Sequence, residues 1–294
     1  MPYKLTNYGN TCFFNATLQC LFHTPHLYTF LQKKRNPRET IYHTIVDLIS
    51  TIGKDPATHL ESSIVSFFQL FRTCPVQGYH FVQYQQEDMH ELLALILESL
   101  DATYTCPGQV SFLKRYFTIQ LEKKLIHPCT KEIVTQTTEE YQILPLPLSN
   151  HHQDLDHCLQ DFLKNTITTD YCHETSSGTI LRYPQLMTVY TICSLPSILI
   201  FMFLRYDHLS PMKRPYRIFT PKEFHFQHFP HKMYRLYAIG RHSGITRESG
   251  HYYALCRCSN GNWWNCNDDR IHPVANMEDE LNHPDNYLLF YTLF

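Results

Sequence analysis

The hydrophobic pattern of this chain changes period near Cys106, and that change narrows the folds open to it. Before Cys106, apolar residues recur at helical spacing: Phe13, Leu18, Leu21 and Phe22 follow Cys12, and Leu92, Leu93, Leu95, Ile96, Leu97 and Leu100 form one face of 88–100. Residues 41–52 and 62–72 carry the same amphipathic signature, and Pro25 is placed to end or kink the first helix. After Cys106, β-branched and aromatic residues broken by proline predict strands over 116–121, 135–138, 143–148, 187–192, 198–205, 234–241, 251–258 and 287–291. One helical stretch, 155–163, interrupts them. Helices first and a largely antiparallel sheet second predict an α+β architecture of two lobes with a cleft between them.

Of 294 residues, 43% are hydrophobic and 18% charged, enough apolar material for a sizeable core and too little charge for bulk disorder. The formal charge of −2 is spread over 25 basic and 27 acidic residues, so no field gathers nucleic acid or an anionic membrane, and neither is expected as a partner. The apolar run 192–204 contains Pro196 and falls short of the roughly 20 residues that cross a bilayer, so it reads as a buried strand. Eleven cysteines are an odd number, and the first residues, MPYKLTNYGN, lack a basic then apolar leader. A reducing compartment, cytoplasm or nucleus, is expected, and a monomer.

Chemistry concentrates at two places far apart in the chain. Cys12 follows the Gly/Asn-rich turn Asn7-Tyr8-Gly9-Asn10-Thr11 and opens an apolar helix, where unpaired N–H groups and the positive end of the helix dipole favour a thiolate nucleophile. A lone cysteine after a turn is more often structural, and ten others occur here. Late in the chain, Gly250 lets the backbone come close just before His251 opens a strand, so that the imidazole projects from the sheet rim. Beyond Trp263 and Trp264 come Asp268 and Asp269, carboxylates one hairpin away that can fix an imidazole tautomer, although such residues are commonly plain turn residues. An early cysteine on a helix and a late histidine on a strand are the order of papain-like enzymes, whose groups meet across an interlobe cleft.

The segment around Cys12 resembles the cysteine box of ubiquitin-specific proteases, and Gly250-His251-Tyr252-Tyr253 resembles their histidine box. Gln86-Glu87-Asp88-Met89-His90-Glu91 is similar to the family's glutamine-aspartate box, and residues 195–200 with Leu204-Arg205-Tyr206 to its central palm strand. The resemblance implies a single catalytic domain over 1–294, with a helical thumb (1–115), mostly fingers (116–185) and mostly palm (186–294). It implies hydrolysis of the isopeptide bond after the di-glycine terminus of ubiquitin, without a cofactor. Cys12 matches the nucleophile, His251 the base, Asp268 the third triad member and Asn7 the oxyanion donor. Asp88 matches a carboxylate that holds a basic side chain of the ubiquitin tail, although an N-cap is the plain reading. Gly250, Tyr252 and Asp269 fall at substrate-facing positions. The segments 206–221 and 242–250 correspond to mobile loops over the tail channel. Two other readings keep parts of this picture: a protease for another ubiquitin-like modifier, and a silent ubiquitin-binding module.

Three departures matter. Many members hold a structural zinc with two Cys-x-x-Cys pairs, but here Cys129 stands with Ile126 and Cys172 with Thr175, so no metal is expected and packing is left to hold the finger. The fingers are short between Gln120 and Leu181. Asn267 replaces a large apolar residue expected just before the third triad member.

Overall fold

The computed structural model describes residues 2–25, 27, 86–104, 108, 110–175, 177–206, 210, 212–246 and 249–294. The helices expected over 41–52 and 62–72 lie outside them. In chain order the described elements are α1 (Cys12–Phe22), α2 (Met89–Tyr104), α3 (Phe112–Tyr116), β1 (Ile119–Ile126), β2 (Ile133–Tyr141), β3 (Leu144–Leu146) and α4 (Leu155–Leu163). There follow β4 (Thr166–Glu174), β5 (Ile180–Ser194), β6 (Ile198–Phe203), β7 (Glu223–Phe224), β8 (Tyr234–Ser243) and β9 (His251–Arg257). The chain ends with β10 (Trp263–Asn267), β11 (Arg270–Pro273), α5 (Met277–Leu281) and β12 (Asn286–Leu293).

Two sheets carry the β half. One has four strands in the order β2-β1-β5-β4, all antiparallel; the other runs β11-β10-β9-β8-β12-β6-β3, with β7 paired to β8. Its single parallel pairing is β3 with β6. The sheets interleave along the sequence rather than dividing it at residue 185: β3 joins the large sheet from within 116–185, and β5 continues the four-stranded sheet to Ser194.

The large sheet is covered on both faces, and period-two alternation sorts its side chains. Ile198, Ile200, Ala254, Cys256, Leu288 and Phe290 face α1 and α2. Leu199, Phe201, Phe203, Leu255, Leu289 and Tyr291 face a second core that includes Leu155 and Leu159 of α4 and Met277 and Leu281 of α5. Two-sided burial explains why 198–203 reads as an unbroken apolar run. α1 stops at Phe22, ahead of Pro25, and lies chiefly on β9, so the helix opened by Cys12 rests on the strand opened by His251.

Buried cations tie the loops to this sheet. The Arg205 guanidinium donates to the carbonyls of Asn286 (2.6 Å), Arg214 (2.9 Å) and Tyr216 (3.0 Å). Arg241 donates to Asn286 Oδ1 at 2.8 Å and to Glu280 Oε2 at 2.5 Å. Among the described residues no helix is long and apolar enough to cross a membrane.

Candidate active site

The turn before α1 is organised by one side chain. Asn7 Oδ1 accepts from the N–H of Gly9 (3.0 Å), the N–H of Thr11 (3.1 Å) and Thr11 Oγ1 (3.2 Å). Gly9 and Asn10 have φ of 88° and 57°, so the loop needs two left-handed residues in succession, and glycine and asparagine supply them at least cost. This places Cys12 at the first helical position, where backbone N–H groups have no intrahelical acceptor. Cys12 is 3% exposed, so its thiol is held off bulk water.

His251 stands at the start of β9 with its imidazole 38% exposed. Its pKa is raised to about 9, first by the Cys12 side chain beside it; burial opposes the shift, and Asn267 and the Asp268 charge add to it. Cys12 and His251 are thus brought together from 239 positions apart, the difference between 251 and 12. The His251 Nε2–H donates to Asn267 Oδ1 at 2.6 Å, whereas Asp268 Oδ2 lies 3.9 Å away. Since the amide oxygen only accepts, Nε2 carries the proton and Nδ1 is the nitrogen left for the thiol.

The structure therefore differs from the sequence expectation at the third position: Asn267, not Asp268, sits at hydrogen-bond distance from the imidazole. Strand parity is the reason. In the β9–β10 pairing Cys266 lies opposite Ala254, so Asn267 is one step further along and shares a face with Tyr253 and His251. Strand alternation in this register places the next residue, Asp268, on the opposite face. Asp268 instead leaves the strand with φ of 54° and turns its carboxylate to the helical side, accepting from Asn7 Nδ2 (3.0 Å) and Asn15 Nδ2 (2.8 Å). Its carbonyl accepts from the N–H of Leu5 at 3.2 Å. Asp269 is exposed in the same turn.

Of the positions expected to face substrate, Asp88 is 8% exposed and does two structural tasks. It accepts from the N–H of His90 (2.7 Å), capping α2, and both its oxygens accept from Tyr287 Oη at 3.0 Å. It also borders an open pocket of about 180 Å³ lined by Glu91, Met202, Leu204, Tyr206 and Tyr287. Tyr252 departs from expectation. It is 1% exposed, with its ring against those of His242 (4.4 Å between centroids) and Tyr287 (6.4 Å), so it forms the floor of the site and offers no surface to a substrate in this state.

Gly250 is required by a close approach: a Cβ there would lie under 3.0 Å from His242 Nε2, His242 Cε1 and Ser243 O. The described parts of the two bordering loops pair with each other, through a Met212–Thr246 bridge and a 2.8 Å bond from the Lys213 N–H to Ile245 O. Sequence reading missed Asn15 and Asn267, and did not give His242 or Gln86 a role. Period-two counting back from His251 along a presumed hairpin was the signal that could have found Asn267. Among the described residues no group of three or more His, Cys, Asp or Glu side chains could hold a metal, and Cys129 and Cys172 are exposed free thiols.

Residues 3–291 match the family model described as ubiquitin carboxyl-terminal hydrolase. Ubiquitin carboxyl-terminal hydrolase 8 of Saccharomyces cerevisiae is 25% identical, aligned over 98% of this chain and 70% of its own length. Ubiquitin carboxyl-terminal hydrolase 2 of Homo sapiens is 26% identical over 98% of this chain and 54% of its own. The chain thus spans 54% to 70% of the length of these relatives. Among solved structures, the SAGA Ubp8/Sgf11/Sus1/Sgf73 DUB module bound to ubiquitin aldehyde superposes with a TM-score of 0.83 at 23% identity, covering 99% of this chain and 69% of that one. That likeness establishes the papain-like α+β fold.

Proposed function

Because the chain belongs to the ubiquitin carboxyl-terminal hydrolase family, whose members are cysteine-type hydrolases, we propose that it is a thiol-dependent deubiquitinase. It would cleave the isopeptide bond after the di-glycine end of ubiquitin. The juxtaposition of Cys12, at the start of α1, with His251, at the start of the β9 strand on which α1 lies, carries this reading. The Cys12 thiolate attacks the carbonyl carbon of the terminal glycine; the negative oxygen that forms meets the N–H groups at the start of α1 and the second hydrogen of Asn7 Nδ2, whose first goes to Asp268. His251 Nδ1 then gives its proton to the leaving amine, forming an acyl-enzyme, and later deprotonates the water that resolves it.

In this scheme Asn267 is the residue that orients the base. Asp268 is the latch that joins the β10–β11 turn to α1 by holding Asn7 and Asn15. Asp88, at the rim of the 180 Å³ pocket between α2 and β6, supplies the negative charge that would receive a basic side chain of the substrate tail. Ubiquitin is the partner this favours, since a structural neighbour was solved with ubiquitin aldehyde. The free thiols of all nine described cysteines suit a reducing compartment.

The test compares wild type with Cys12→Ala on a fluorogenic C-terminal ubiquitin conjugate, with covalent capture by an electrophilic ubiquitin probe alongside. Turnover and capture should both vanish in the variant. A wild type that turns over a different modifier's conjugate, but not ubiquitin's, would replace the substrate while keeping the chemistry.

A further inference from the structure

His242 is an unusual residue to find fully buried. It is 0% exposed, yet every polar atom of its ring is bonded. Gln86, just before α2, donates from Nε2 to the ring's Nε2 at 3.2 Å, and Tyr206, three residues beyond β6, pairs with Nδ1. The same Gln86 side chain accepts from the N–H of Gly250 through Oε1 at 3.2 Å. The His242 carbonyl accepts from Lys213 Nζ, and Lys213 also pairs with Asp285 at 2.6 Å. Its N–H donates to Asp285 O at 3.0 Å.

The proton inventory of this cluster has one solution. A backbone N–H only donates, so Gln86 Oε1 faces Gly250 and Gln86 Nε2 donates to His242. His242 Nε2 is therefore an acceptor, and Nδ1–H donates to Tyr206 Oη. Burial, with the nearby Lys213 ammonium, holds the imidazole down at about 4, which keeps this neutral tautomer at working pH. The ring also packs directly on the Gly250 Cα, leaving no room for a Cβ.

These contacts converge on the peptide immediately before His251. We infer that His242 and Gln86 are positioning residues for the base: Gln86 anchors the Gly250 N–H to the helical lobe, and the His242 ring both orients Gln86 and supports Gly250 from below, so that the imidazole of His251 is delivered to Cys12. Through its ring to Tyr206 and its carbonyl to Lys213, His242 also ties that peptide to residues of the 206–221 segment bordering the pocket. This rests on Cys12 and His251 being the reactive pair and does not depend on which modifier is cleaved.

Two variants test it, Gln86→Leu and His242→Ala. Gln86 is only half-buried, so its variant tests the proposal even where the loss of a buried ring unfolds His242→Ala. The first readout needs no ubiquitin: the pH dependence of Cys12 alkylation by iodoacetamide, located by peptide mass mapping, which reports the thiolate that His251 sustains. The second is kcat against KM on the fluorogenic ubiquitin conjugate. Expected results are an alkylation profile moved to higher pH in both folded variants and a kcat lowered about 10- to 100-fold with KM changed far less, as misplacing a catalytic group does. Restoring the acceptor with Gln86→Glu, which accepts from Gly250 and from the other His242 tautomer, should recover much of the rate. A wild-type alkylation profile in Gln86→Leu overturns the proposal. A wild type that alkylates as expected but leaves the ubiquitin conjugate intact would sink the substrate assignment alone.

Discussion

Replacing Asn267 with alanine removes one acceptor from the catalytic imidazole and little else. The lost bond is 2.6 Å long and serves a ring whose pKa is raised to about 9, so at neutral pH its donor is charged. Hydrogen bonds to charged groups contribute roughly 1.5–3 kcal/mol. The imidazole is 38% exposed and water can replace part of that, so the lower half of the range applies. At about 1.4 kcal/mol per tenfold, kcat/KM for a fluorogenic ubiquitin conjugate should fall about 10- to 40-fold, chiefly through kcat. Asn267→Asp, which keeps the acceptor, should recover most of the loss. Asp268→Ala should carry a different signature: both amide donors on that carboxylate are freed, at 3.0 and 2.8 Å, so the melting temperature falls together with activity. If Asn267→Ala turned over within about twofold of wild type while Asp268→Ala lost activity at unchanged melting temperature, the assignment of Asn267 as the orienting residue would be wrong. The histidine would then have to swing to the carboxylate when substrate binds.

Gly250→Ala should lower kcat/KM by about 100-fold or more, because the new methyl meets the His242 ring and the Ser243 carbonyl and must displace the peptide that carries His251. Near-normal turnover by this variant would show that the close approach is dispensable. The pH dependence has a defined sign. A histidine raised above its ordinary 6.5 contributes stability that is fully present below that pH and lost as pH rises through about 9, so kcat/KM and melting temperature should both decline on the alkaline side near pH 9. An alkaline limb near 6.5 in wild type would mean that the thiol does not share the imidazole proton.

Much of the molecule was legible from residue order. Helical spacing after Cys12 and over 88–100 marks α1 and α2, and the apolar run through 198–203 marks the buried strand β6, because periodicity records which faces an element hides. Other elements were not legible. α3 occupies part of the stretch that reads as strand from Tyr116, and β4, rich in exposed threonine and polar residues, escaped notice because it lies in the four-stranded sheet with few buried side chains to impose a pattern. The weave of the two sheets was equally hidden, since β3 finds its partner β6 more than 50 residues later.

The division at the active site is sharper. Sequence alone pointed to Cys12 and His251 as a candidate pair, because a cysteine opening a helix after a Gly/Asn turn and a histidine opening a strand after glycine each have a local backbone reason to be where they are. It also pointed to an acceptor for the imidazole just after Trp264, but at Asp268. Only the tertiary structure put Asn267 there instead, since the choice depends on the β9–β10 register and on the left-handed turn at Asp268, and a shift of one residue reverses the face of every side chain in a strand. For the same reason, long-range pairing alone turned Tyr252 inward and brought His242, Gln86 and Gly250 together; nothing in their sequence neighbourhoods encodes a contact spanning more than 150 residues.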